Sequence, residues 1–85
     1  MILHIVDAKL AGPTVLDVRF NDGNRFVVDL RPLLTGVVFE PLLDPKEFAS
    51  FSLDPICKTI VWRNGADLAP EAIRDLALAE QSSGK

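Results

Sequence analysis

Asp67 and Glu71 stand four residues apart at the start of an apolar-patterned segment, a spacing that puts two carboxylates one helical turn apart and suits paired acid and base work. The same spacing has a plainer cause. Pro70 lies between them, so they mark an expected helix start, where a cap and the helix dipole favour negative charge and hold carboxyl pKa values down. No catalytic residue is assigned.

The remaining reactive groups are thinly spread. His4, the one histidine, and Asp7 are three residues apart in an expected strand, so they project to opposite faces and cannot share an ion. Cys57 stands beside Lys58, a charge that lowers a thiol pKa, but no histidine accompanies it as a base. The five glycines are scattered singly, which gives no phosphate-binding loop. No metal, cofactor or covalent chemistry is expected.

Four residues qualify as partner contacts instead. Arg19 and Arg25 should oppose each other on the outer face of a hairpin, where two guanidiniums repel unless Asp17 or an anion on a partner answers them. Arg63 follows Trp62 and points the opposite way, toward Asp67 or a partner. Leu78 falls off the apolar stripe of the last helix and is an exposed contact candidate.

Short elements must position these groups. Residues 2 to 10 read as a strand that is apolar on both faces, hence buried on both. Residues 14 to 20 and 24 to 30 alternate, with Leu16, Val18 and Phe20 facing the same way as Phe26, Val28 and Leu30. A two-residue Asp22-Gly23 turn would mix the faces. A three-residue Asn21-Asp22-Gly23 turn, with Gly23 left-handed, sets Val18 opposite Phe26 and Leu16 opposite Val28.

Prolines then break residues 31 to 43 into short helical turns. Asp44 should cap a helix with Pro45 at its first position, Glu47 closing a capping box and Leu43 stapled onto Phe48. A four-residue loop, Pro55-Ile56-Cys57-Lys58, pairs Leu53 with Ile60 and Phe51 with Trp62, placing Trp62 in the core on Phe51. Asn64-Gly65 turns the chain, Asp67 caps, and a helix runs to about residue 80, burying Ala69, Ala72, Ile73, Leu76 and Ala77. The fold class expected is α+β: a small, mainly antiparallel sheet of about five strands, a short capped helix in the middle and a C-terminal helix on the sheet.

Eighty-five residues make one domain, expected over 1–80 with a flexible polar tail over 81–85, and such a chain buries about 60–65% of its unfolded surface. A deep enclosed pocket does not fit easily. With 48% hydrophobic residues and a mean hydropathy of +0.23, some apolar surface should stay uncovered, which favours a partner or a homodimer. The net charge of −3, with interspersed signs, argues against direct nucleic-acid binding. One cysteine and an N-terminus with neither a basic leader nor a long apolar run point to the cytoplasm and away from a membrane.

The order Val15-Leu16-Asp17-Val18-Arg19-Phe20-Asn21-Asp22-Gly23, Val28-Asp29-Leu30 with Pro32-Leu33-Leu34, Phe48, Ile60-Val61-Trp62 and Gly65-Ala66-Asp67-Leu68-Ala69-Pro70-Glu71 resembles the bacterial domain of unknown function 2442 family, over about residues 3 to 76. The resemblance implies a small α+β domain. It also implies a gene neighbour encoding another small protein, in a two-component, toxin–antitoxin-like arrangement, and it supplies no catalytic residues. Some longer members of that family carry a helix-turn-helix segment downstream. The expectation is therefore a non-enzymatic protein-interaction module, antitoxin-like, whose partner is the small protein of the adjacent gene. The rival expectation is a DNA-associated regulatory or dimerisation domain, and a small enzyme ranks third.

Overall fold

A computed structural model of the chain describes residues 2–83. The chain forms β1 (Ile5–Gly12), β2 (Val15–Phe20), β3 (Arg25–Asp29), 3-10 turns at Arg31–Leu33 and Glu40–Leu43, α1 (Pro45–Phe48), β4 (Ser52–Leu53), β5 (Ile60–Val61), β6 (Asp67–Leu68) and α2 (Pro70–Ser83). This is an α+β arrangement with antiparallel sheets and a C-terminal helix. The strands form two sheets of three, ordered β1-β2-β3 and β4-β5-β6, not the single sheet of about five.

Two local causes explain that difference. Among the described residues the second hairpin meets β1 through one backbone bond, from the Ile5 amide to the Lys58 carbonyl at 2.9 Å, and no strand ladder joins the sheets. Asp67 is also not a helix cap: it lies in β6 opposite Val61, with Leu68 opposite Ile60. The Ala69 carbonyl accepts from the Ala72 and Ile73 amides at 3.0 and 3.3 Å, so α2 begins at Pro70, three residues after Asp67.

Both hairpins with apolar partners take the expected register. In the first, Leu16 opposes Val28, Val18 opposes Phe26 and Arg19 opposes Arg25, around an Asn21-Asp22-Gly23 turn with Gly23 at φ 90°. One inner face then collects Leu16, Val18, Phe20, Val28 and Leu30, all buried. In the second, Leu53 opposes Ile60 across the 55–58 loop.

The β5–β6 turn repeats the chemistry of the first. The Gly23 and Gly65 amides each donate back to the carbonyl of the residue three before, Phe20 and Trp62, at 3.0 Å. The middle side chain of each turn, Asp22 or Asn64, accepts the amide two residues on, from Asn24 at 3.1 Å and Ala66 at 3.0 Å.

β1 departs from its expectation. It is an edge strand with a bulge between Ile5 and Asp7, and only Ile5 is buried, while Val6 and Leu10 are about half exposed. Its continuous apolar run reflects that edge position rather than burial on two faces.

The remaining core forms around Trp62, which packs on Phe48 with ring centroids 5.7 Å apart and donates its indole N–H to the Phe48 carbonyl at 2.9 Å, while Phe51 is half-buried against the same cluster. Asp44 caps α1 by accepting the Lys46 amide at 3.0 Å. The capping box does not close: the Asp44 amide donates to the Pro41 carbonyl, Glu47 turns to Arg63, and Leu43 is exposed while Leu42 is buried. On α2, Ile73 and Ala77 are buried and Ala72 and Leu76 half-buried, while Ala69 lies outside the helix and exposed. The helix continues through Ser83; residues 84 and 85 of the expected tail lie outside the described residues. Among the described residues no helix is long and apolar enough to cross a membrane.

Candidate interaction surface

Strand alternation gives the first sheet an outer face of charged groups. Asp7 and Lys9 on β1 oppose Arg19 and Asp17 on β2, and Arg19 opposes Arg25 on β3, so two cross-strand rows carry five charges. These five side chains line a shallow depression of about 140 Å³. Val27, 62% exposed, adds an apolar side chain to the same face.

Asp17 divides the two arginines. Arg25 donates through Nε at 2.8 Å and through Nη2 to the Asp17 carboxylate, a two-point grip. That grip, opposed by some desolvation and helped by the nearby charges of Arg25 and Lys9, holds the Asp17 carboxyl below its usual value and raises Arg25. Arg19 is exposed and forms no ion pair among the described residues.

Beside β1 an apolar groove runs between Ile5, Val6, Leu53, Asp54, Pro55 and Lys58. It lies where the two sheets meet without pairing. The nearby Cys57 is exposed, and its thiol is pushed up first by the charge of Asp54, the reverse of the lowering expected from Lys58. Asp54 in turn is held down by the Ile56 and Cys57 amides that it accepts.

The family model described as "Protein of unknown function (DUF2442)" matches residues 5–79, from the first residue of β1 into the last turns of α2. The chain belongs to the DUF2442 family. No curated protein and no solved structure matches it.

The four contact candidates of this DUF2442 domain fall in three places. Arg19 and Arg25 share the outer face. Arg63 occupies the β5–β6 turn, where it grips Glu47 of α1 through Nε at 3.2 Å and Nη2 at 2.5 Å, and not Asp67. Leu78 is exposed on α2. Asp67 and Glu71 are both exposed, one in a strand and one in the first helical turn. Among the described residues no group of three or more His, Cys, Asp and Glu could hold a metal ion.

Sequence reading passed over Arg74. This side chain, 19% exposed, lies over the Phe20 and Phe26 rings at 5.0 and 5.3 Å and donates to Asp22 at 2.8 Å. One signal pointed to it: Arg74 directly follows Ile73, a stripe position, so it borders the face packed on the sheet.

Proposed function

We propose that this DUF2442 domain is a non-enzymatic, cytoplasmic protein-interaction module, the antitoxin-like member of a bacterial two-gene pair, and that it binds the small protein of the adjacent gene through the outer face of its first sheet. The observation that carries the reading is the inequality of Arg19 and Arg25: Asp17 answers Arg25, while Arg19 stands opposite it with no ion pair among the described residues. An exposed guanidinium beside another, next to exposed Val27, suits a carboxylate on a protein surface with a small apolar neighbour. The net charge of −3 directs the reading away from a nucleic-acid backbone.

Co-expression with the product of the adjacent reading frame, followed by affinity purification, tests it. The pair co-purifies, and Arg19→Glu abolishes this without changing the circular dichroism spectrum, whereas Arg63→Glu, in the β5–β6 turn, does not. Failure of the wild-type pair to associate removes the proposal.

A further inference from the structure

We infer that the edge of β1 beyond Ile5 pairs antiparallel with the same edge of a second copy of this chain, Ala8 opposite Ala8 across a two-fold axis, which joins two three-stranded sheets into one of six. The inference stands independently of the adjacent-gene partner.

Backbone direction identifies the groups at that edge. The Phe20 amide donates to the Asn24 carbonyl and the Leu30 amide to that of Thr14, so the even-numbered positions of β2 bond toward β3. Asp17 and Arg19 therefore turn their backbone groups to β1, where Lys9 and Asp7 oppose them. Ala8, between Asp7 and Lys9, directs its amide and carbonyl away from β2. Two contacts agree with this. The Ile5 amide, on the far side of the bulge, donates outward to Lys58, and the Ala8 amide donates to the carboxylate of its own neighbour Asp7 at 3.0 Å.

In an antiparallel pair, outward-directed positions must oppose outward-directed positions, so near the middle of β1 the axis falls on Asp7, Ala8 or Lys9. An axis on Asp7 sets that carboxylate against its own copy, and an axis on Lys9 does the same with two ammonium groups. Only the axis on Ala8 sets Asp7 opposite Lys9 twice. It also brings Leu10 of each copy, 50% exposed, toward the bulge of the other, where Val6, 46% exposed, lines the apolar groove with Leu53 and Pro55. Charges on an edge strand blunt pairing with unrelated strands, and here the same two charges complement themselves in one register.

Sedimentation equilibrium of the intact chain from micromolar to millimolar concentration should show the mass rising to that of a dimer. Asp7→Lys and Lys9→Asp, each folded by circular dichroism, should each associate at least about tenfold more weakly, because both cross-copy pairs become like-charged. An equimolar mixture of the two variants should regain the dimer mass, since a strand with two lysines at these positions then faces a strand with two aspartates. Ala8→Pro, which removes an amide outside the β1–β2 ladder, should weaken association without unfolding the sheet. A wild-type monomer throughout, single variants that associate like the wild type, or a mixture that stays monomeric overturns the inference.

Discussion

Arg74 on α2 donates to the Asp22 carboxylate at 2.8 Å, tying the C-terminal helix to the first hairpin turn across 52 residues of sequence. The guanidinium lies over Phe20 and Phe26, which themselves meet edge to face at 6.0 Å. Its Nε and Nη1 are buried with no hydrogen-bond partner among the described residues, so the three N–H bonds on those two nitrogens depend on the aromatic faces for compensation.

Replacing Arg74 separates these contributions. Arg74→Ala removes the stem, the ion pair and the ring contacts, and should lower stability by about 1–2 kcal/mol in urea unfolding. Arg74→Met keeps an apolar stem over the rings and discards the unpartnered N–H groups, so it should lose less. A methionine variant as unstable as the alanine one would show that the Asp22 contact dominates.

Acid should weaken the same tie. Asp22 is lowered from 3.8 to about 2, first by its bond from Arg74 and then by the Asn24 amide. A folded pKa below the unfolded one means that its contribution is complete above about pH 4 and is lost as the pH falls from there toward about 2. Asp17 and Asp54 are lowered too and act in the same direction. The urea midpoint should therefore fall over that window, and Asp22→Asn should make the fall shallower; an unchanged slope would refute the assignment to Asp22.

Alternation made the first sheet readable, because a one-residue slip between Phe20 and Phe26 would have turned apolar side chains outward, leaving one consistent turn. Trp62 was legible as core for its size, but its contact with Phe48 was not, because that contact depends on α1 bringing the Phe48 carbonyl to the indole. β6 was hidden because Asp67-Leu68 is too short to alternate, and Asp67 near Pro70 carries a strong capping signature. Of the candidate surface, cross-strand register put Arg19 opposite Arg25, whereas Arg63–Glu47 and Arg74–Asp22 join residues 16 and 52 positions apart, a separation no local pattern encodes.

The indole N–H of Trp62 is a buried donor to the Phe48 carbonyl at 2.9 Å. Trp62→Phe keeps most of the contact with Phe48 but removes the indole donor, leaving the Phe48 carbonyl the Phe51 amide at 3.3 Å, and should destabilise by about 0.5–1.5 kcal/mol. Trp62→Ala adds a cavity and should cost about 3–5 kcal/mol, enough to threaten folding of so small a domain. Wild-type tryptophan fluorescence should be blue-shifted and move red on unfolding; emission already red in the native protein would contradict burial.

Gly23 and Gly65 hold equivalent positions in turns of the same chemistry, at φ 90° and 91°, and an added Cβ would meet no heavy atom within 4 Å at either. Any penalty on substitution therefore comes from backbone strain rather than crowding. Gly23→Ala and Gly65→Ala should each lower stability by about 1 kcal/mol, and Gly23→Asn by less, since asparagine tolerates the left-handed region. Because the turns close hairpins in different sheets, the double alanine variant should lose the sum of the two single losses. Urea denaturation of the three alanine variants decides it: a double loss well short of the sum would mean that the two sheets do not respond to their turns independently.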